Sequence, residues 1–524
     1  MNRRDFLWAA GIGFAAAVEG ATARRLPNIV LILADNLGYG DLGCYGSAKH
    51  RTPHTDRMAR EGTRFANFYV SSGVCTPSRA SIMTGCYPRR VGLHYTDPDG
   101  HVLRPISHNG LNPDETTIAE VLKGRGYATA IVGKWHLGDQ LPFLPTRQGF
   151  DYYFGIPYSD DMVGGKRLPS QKTSWPPLPL MENEQVIEAP VDRELLTKRY
   201  TEKTIEIVTR QRNSPFFIYL AHAMPGSTPA PFASEQFRGK SANGPYGDSV
   251  EEIDWSTGQI LSALKRLELD DRTLVVSTSD NGAVRRDPPQ GSNLPLRGWG
   301  YTTAEGGQRV PCIARWPGKV PAGAVCDAMA TTMDLLPTFA GLAGTRPPQD
   351  RIIDGKDIWP LLAGQSKESP HEAFYYYGGP QLQAVRSGRW KLFLPLEERW
   401  TVAGKTAGSP LALYDLEADI GETTDVAAKH PDIVRRLTVL AAKARGYWGD
   451  MNRAGKGQRP AGRIANPTPR VLPAPAARAT RPPASSSSCC SQRPSAFSAG
   501  RGQGESSADD QADSTHERRV LFYT

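Results

Sequence analysis

The sequence predicts an α/β fold: a mixed, mostly parallel sheet flanked by helices on both faces, followed by a smaller C-terminal antiparallel sheet. Three observations predict it. Short, wholly apolar runs rich in β-branched residues suit strands buried on both faces, and they alternate with longer segments of helical periodicity. After about residue 365 the pattern changes to short, closely spaced strands.

The run 28–33 (Asn-Ile-Val-Leu-Ile-Leu) is the first strand and ends in Ala34-Asp35-Asn36. Residues 116–123 have helical spacing, with Thr116 or Thr117 as the cap and Gly124 near the end, and lead into a strand at 127–132. That strand delivers Gly133-Lys134-Trp135-His136. A helix over 194–210 precedes the strand 216–220, which ends at His222; a helix over 250–267 precedes the strand 273–278, which ends in Ser279-Asp280-Asn281-Gly282. Alternation of this kind places ligands beyond the carboxyl ends of the strands. Four predicted strands release polar or ionisable residues there: Asp35 and Asn36, Lys134 and His136, His222, and Asp280 and Asn281. The smaller sheet takes its strands from 374–377, 382–386 and 390–393 and closes with a helix near 431–445.

Of 524 residues, 39% are hydrophobic and 22% charged, with 43 prolines and 52 glycines, a balance that excludes a coiled coil or a multispan membrane chain. The formal charge of +8 sits at the ends: residues 1–25 carry +2 and residues 451–524 carry +6, so 26–450 is neutral and nucleic-acid binding loses its support. Arg3-Arg4 followed by Phe6-Leu7, a 13-residue apolar run from 6 to 18 and Ala21-Thr22-Ala23 resemble a bacterial twin-arginine export signal. The run is too short to span a bilayer, so the expectation is an exported, periplasmic or secreted protein without a stable membrane span. Seven cysteines in so long a chain do not make a disulfide framework. The expected organisation is a signal segment over 1–25, a catalytic domain over 26–365, a small α+β subdomain over 366–450, and a disordered basic tail rich in Pro, Ala, Ser and Arg over 451–524.

The most specific segment is Cys75-Thr76-Pro77-Ser78-Arg79-Ala80-Ser81-Ile82-Met83-Thr84-Gly85. Thr76 suits a helix cap and Pro77 a first helical position, which sets Cys75 just before a helix N-terminus, a place that favours anions. Cys-x-Pro-Ser-Arg followed by Thr-Gly resembles the defining motif of the type I sulfatases, and Gly126-Tyr127-Ala128-Thr129-Ala130-Ile131-Val132-Gly133-Lys134-Trp135-His136 matches a second motif of that family. The resemblance runs from about residue 27 to 445, through Glu305-Gly306-Gly307-Gln308-Arg309-Val310-Pro311 and Leu413-Tyr414-Asp415-Leu416, and is closest in kind to bacterial enzymes of the arylsulfatase A and N-acetylgalactosamine-6-sulfatase type.

That resemblance implies an alkaline-phosphatase-like fold and hydrolysis of sulfate esters on sulfated carbohydrates or aryl sulfates. It implies that a separate maturation enzyme oxidises Cys75 to formylglycine, whose hydrate supplies a hydroxyl nucleophile. One divalent cation, Ca²⁺, would be held by Asp35, Asn36, Asp280, Asn281 and the modified Cys75. Arg79 would hold the formylglycine, Lys134 and His136 would contact sulfate and nucleophile, and His222 would be a further catalytic candidate. Export machinery and a sulfated small molecule or glycan complete the implied partners.

The sequence also departs from the family. Asp35-Asn36 replaces a pair of aspartates, Gly226 stands where a leaving-group histidine is expected, and Gly300 where a sulfate-binding lysine is expected. Losing one such preorganised group costs roughly 10²–10³ in rate. His222, Arg285, Arg286 and Arg297 are the nearby candidates for replacing them. Two alternatives follow: a weakened sulfatase-like module that binds sulfated glycans, and a phosphoester hydrolase of the same superfamily, which the intact Cys-x-Pro-Ser-Arg opposes.

Overall fold

A computed structural model describes residues 25–169, 171 and 173–473. The expected export signal, apart from Arg25, and the tail beyond Pro473 with Cys489 and Cys490 lie outside the described residues. A 10-stranded sheet runs in the order Ala324–Cys326, Thr63–Phe65, Cys312–Arg315, Thr273–Ser279, Asn28–Asp35, Phe216–Pro225, Ala128–Gly133, Tyr152–Gly155, Leu180–Glu182, Gln185–Glu188. The five strands from Thr273–Ser279 to Tyr152–Gly155 are parallel, and antiparallel pairings flank them. The order shows why the site is central: Asn28–Asp35 lies between Thr273–Ser279 and Phe216–Pro225, with Ala128–Gly133 next, so the polar strand ends emerge side by side.

Every residue of Asn28–Asp35 is buried, and its apolar residues alternate between two cores. Ile29, Leu31 and Leu33 pack with Ile82, Met83, Leu122 and Phe339; Val30, Ile32 and Ala34 pack with Tyr200, Ile207, Val250 and Ile260. Helices therefore cover both faces, as the continuous apolar runs require. Of the two candidate caps, Thr117 is the one used: Glu120 N donates to Thr117 Oγ1 at 3.2 Å and Thr117 N donates to Glu120 Oε2 at 2.8 Å, a reciprocal capping box.

A 4-stranded antiparallel sheet, Phe374–Gly378, Gln381–Ser387, Trp390–Phe393 and Ala412–Asp415, packs with the helix Pro431–Tyr447. Its core also takes in Tyr69, Tyr87 and Met333. Buried Glu305 fastens it behind the site, accepting from Tyr376 Oη at 2.7 Å and Lys391 Nζ at 2.9 Å. Although burial works against its charge, Lys391, Arg386 and Arg309 hold its carboxyl below the usual range.

The expectation of disorder from residue 451 fails for 451–473. Gly462–Arg463 pairs with Asn109–Gly110, Arg459 clasps Glu115 at 2.6 and 2.9 Å, and Arg470 Nε donates to the Asp139 carbonyl at 2.6 Å. Apolar periodicity misses such a segment because arginines and backbone groups attach it, with no hydrophobic face. No helix among the described residues is long and apolar enough to cross a membrane.

Candidate active site

Asp35 ends its strand, and Asp280 directly follows Thr273–Ser279, its N–H donating to the Ala34 carbonyl at 3.1 Å. Lys134 leaves the sheet after Gly133, where φ is +124° and a Cβ would stand 1.8 Å from the Ala221 carbonyl oxygen. Only glycine fits there. Cys75 is the first residue of the helix Cys75–Thr84, with Val74 at the cap position. Thr76 is thus not the cap: its hydroxyl donates to the His136 carbonyl at 3.0 Å and accepts from Leu103 N at 3.2 Å, tying the helix entry to the loop after Lys134.

These elements bring Asp35, Cys75, Arg79, Lys134 and Asp280 into one sealed group, all 3% exposed or less. Arg79 Nε donates to Asp280 Oδ2 at 2.9 Å, its Nη2 lies 2.8 Å from the same oxygen, and its Nη1 donates to the Lys134 carbonyl at 2.8 Å. Lys134 Nζ donates to Asp35 Oδ2 and, at 3.1 Å, to Ser159 Oγ. Two carboxylates face two cations, so the group closes to zero formal charge. Burial and Asp280 push the Asp35 carboxyl up, against Lys134 and Arg79. Burial and Asp35 push the Cys75 thiol well above its ordinary range. Burial disfavours the Lys134 charge, yet Asp35 holds the ammonium above its usual range.

The donor set fits a hard cation. Asp35, Cys75 and Asp280 each offer an atom within 4.8 Å of the others, Asn281 Oδ1 is buried without a partner, and Asn36 Oδ1 lies 3.9 Å from Cys75 Sγ. Carboxylate and amide oxygens suit Ca²⁺ better than Zn²⁺. Asn36 takes φ +62°, a left-handed conformation that asparagine tolerates. Its N–H donates to Asp280 Oδ1 at 3.0 Å.

His136 borders the group with Nε2 3.0 Å from the Leu103 carbonyl and Nδ1 buried without a partner; burial, then Lys134 and Arg79, push its pKa well below the ordinary value. His222 is corrected. Its strand continues to Pro225, and the ring lies wholly buried with both nitrogens unpartnered and no hydrogen bond to the group. Burial alone pushes its pKa down to about 3.

Nor do the arginines replace the missing side chains. Arg285 is exposed, Arg286 gives its guanidinium to the carbonyls of Gly226 (2.5 Å) and Thr228 (3.3 Å), and Arg297 pairs with Glu422 at 3.2 Å. Side chains are also hard to restore. A Cβ at Gly300 would meet the Gly282 carbonyl oxygen at 2.4 Å, and one at Gly226, where φ is +66°, would meet Asp160 Oδ1 at 2.7 Å.

Sequence reasoning missed four polar residues on this side: Ser159, Asp160, Ser227 and Tyr301. Asp160 is fully buried with both carboxyl oxygens unpartnered; burial, then Asp161 and Asp35, push its pKa up to about 8 against Lys134 and Arg193. Its adjacency to Gly226 was the available signal only once the two loops were known to meet. A cavity of about 740 Å³ lined by Arg57, Arg60, Lys265 and Arg315 contains none of these residues. A much smaller one, about 90 Å³, is lined by Gly73, Val74, Tyr301 and Trp400 and reaches the residues just before Cys75. Here the chemistry marks the site and cavity size does not.

Comparison with known proteins agrees with the geometry. The sulfatase family profile matches residues 27–345, and a profile described as the C-terminal region of N-sulphoglucosamine sulphohydrolase matches 302–439. Human arylsulfatase A is 38% identical, covering 81% of this chain and 89% of its own length, and the dog N-acetylgalactosamine-6-sulfatase is 41% identical over 72% and 73%. The solved structure of Ps i-CgsB in complex with a neocarrahexaose superposes with a TM-score of 0.67 at 30% identity, covering 82% of this chain and 95% of that one. With the family profile, the relatives and the fold all matching over most of its length, this chain belongs to the sulfatase family, whose members hydrolyse sulfuric esters.

Proposed function

We propose that the protein hydrolyses sulfate esters of sugars or aryl alcohols through a formylglycine made from Cys75, with Ca²⁺ held by Asp35, Asn36, Asp280 and Asn281. The observation that carries this reading is the sealed group in which Cys75, at a helix entry, faces Asp35 at 3.5 Å while Arg79 locks Asp280 behind it. Formylglycine would supply a hydroxyl nucleophile in hydrated form, and a cation held by these oxygens would polarise the sulfate. The chain's own residues do the rest. Arg79 and the backbone of the Asn36 turn fix the Asp280 carboxylate, leaving it no freedom to reorganise as charge develops. Lys134 holds one Asp35 oxygen, so the other stays turned toward Cys75. The Thr76 bridge to the His136 carbonyl keeps the helix entry and the imidazole in fixed register.

Sulfated carbohydrates are supported as substrates by the names of relatives such as N-acetylgalactosamine-6-sulfatase and by the neocarrahexaose complex of Ps i-CgsB. The Arg3-Arg4 segment supports an exported protein, and a maturation enzyme is required to convert Cys75. Peptide mass spectrometry of Cys75 from a host that carries such an enzyme, paired with turnover of 4-nitrophenyl sulfate, tests the proposal. Unconverted thiol in an active enzyme would exclude formylglycine; converted residue in an enzyme inactive on 4-nitrophenyl sulfate would exclude the aryl esters and leave the sugar sulfates.

A further inference from the structure

The residues that follow the two unexpected glycines meet each other. Ser227 Oγ lies 2.7 Å from Tyr301 Oη, and Asn36 Nδ2 donates to Ser227 Oγ at 3.1 Å. All three belong to the departures or stand next to one, and together they form a hydrogen-bonded chain whose direction is set at its Asn36 end. The Asn36 amide oxygen accepts from Asn281 Nδ2 at 2.5 Å and faces Cys75, so its NH₂ end is the one turned to Ser227. Asn36 therefore donates to Ser227, and between Ser227 and Tyr301 either hydroxyl is able to donate; when Ser227 does, the Tyr301 proton is free to meet a ligand. An aspartate at 36 would offer only acceptors, drawing the Ser227 proton to itself and the Tyr301 proton to Ser227.

Exposure separates this chain from the rest of the site. Asp35, Lys134 and Asp280 are sealed, whereas Ser227 and Tyr301 are partly exposed, and Tyr301 lines the small cavity that reaches Val74. The Tyr301 backbone is fixed there: its N–H donates to the Gly73 carbonyl at 2.9 Å with φ at +70°. A tyrosine held in a disfavoured backbone conformation, and bonded to Gly73 two residues before the helix that begins at Cys75, marks a position under constraint.

We propose that Tyr301 is a catalytic residue of this sulfatase, its hydroxyl donating a hydrogen bond to the bridging oxygen of the sulfate ester, with Ser227 and Asn36 as positioning residues that set the direction of the donor. The proposal rests on the sulfate-ester hydrolysis proposed above. As the bond between sulfur and the alcohol oxygen breaks, its electron pair stays on that oxygen; the proton given up by the attacking hydroxyl ends on the alcohol, and Tyr301 keeps its own. The phenol thus stabilises charge on the leaving oxygen, in contact with Ser227 beside Gly226, where the family resemblance predicts a histidine.

The test uses the full-length, formylglycine-bearing protein with 4-nitrophenyl, 4-methylumbelliferyl and phenyl sulfates, whose leaving groups are progressively poorer. Tyr301→Phe should lower turnover about 10-fold on the nitrophenyl ester and about 100-fold on the phenyl ester, because a donor to the leaving oxygen matters more as more charge collects there. Ser227→Ala should shift the series in the same direction by less. The rise in Tm on adding Ca²⁺ should be the same in wild type and Tyr301→Phe. An equal loss across the three esters, a lost Ca²⁺ response in Tyr301→Phe, or a steeper series in Ser227→Ala alone would each overturn the proposal, the second because Tyr301 would then act through Asn36. Wild-type protein with confirmed formylglycine that releases no sulfate from any of the three, nor from N-acetylgalactosamine 6-sulfate, would instead overturn the hydrolase reading, and this proposal with it.

Discussion

The two halves of the site are built on opposite principles. On the side of Asp35, Arg79, Lys134 and Asp280, every group is charged, sealed and paired with a fixed opposite charge. On the side of Asn36, Asp160, Ser227 and Tyr301, the groups are amide, hydroxyl or an acid whose pKa is pushed up to about 8, and the glycines stand where charged side chains are expected. The family resemblance predicts an aspartate at 36, a histidine at 226 and a lysine at 300, so the charged groups it predicts and this chain lacks are of both signs and fall on the same side.

The charged half should be the less forgiving, beginning with its nucleophile. Cys75→Ala should abolish sulfate release, with a loss of roughly 10⁴-fold or more as for other covalent nucleophiles, while circular dichroism and Tm stay close to wild type. Retained turnover of 4-nitrophenyl sulfate would place the nucleophile elsewhere. Next is Arg79→Met, which keeps the apolar stem but leaves Asp280 buried without its cation. Breaking a buried pair in this way costs about 3–5 kcal/mol, to be read from urea unfolding, and turnover should fall with it. A loss below 1 kcal/mol would mean that Asp280 is held by its backbone donors alone, and the contrast between the halves would dissolve.

The charged half was also the half legible in the sequence. Asp35, Lys134 and Asp280 stand at the ends of uninterrupted apolar runs, and a strand buried on both faces announces both its start and its exit. Cys75 and Arg79 are four residues apart in one motif, so a single helix places them. His222 was misread because the apolar run stops at residue 221 while the strand does not: a pairing with the first strand reaches Pro225, and sequence pattern does not show where backbone pairing ends. Ser227, Tyr301 and Asp160 were invisible for another reason. They lie on three separate loops whose meeting depends on the sheet order, which periodicity does not encode. The segment 451–473 was misjudged for lack of apolar residues, although Arg459 and Arg470 attach it.

The neutral half should resist being made charged again. Gly226→His and Gly300→Lys restore the expected residue types but meet Asp160 Oδ1 at 2.7 Å and the Gly282 carbonyl oxygen at 2.4 Å. Each should lower both Tm and turnover of phenyl sulfate, and Gly226→His more so, because its φ of +66° adds strain to crowding. A gain in turnover from either would show that the position was merely empty and that the neutral chain is no substitute.

The smallest effect separates the halves by pH. Asp160 has an ordinary pKa of 3.8 and is pushed up to about 8, mainly by burial. Below about pH 4 both the folded and the unfolded chain hold this proton, and the residue makes no difference to the pH dependence. Between about 4 and 8 the unfolded chain releases it while the folded chain keeps it, so the unfolded state binds fewer protons and stability falls as pH rises. Above about 8 the fall is complete. Asp160→Asn keeps the shape and removes the titration, so in chelated protein its Tm should match wild type near pH 4 and exceed it by a few degrees at pH 8. The paired carboxylates of the other half predict no such gain from neutralisation: Asp280→Asn should lose stability at pH 8, since Arg79 would then be the unpaired charge. If Asp160→Asn is also less stable at pH 8, Asp160 is ionised in the folded protein, and both halves of the site are charged.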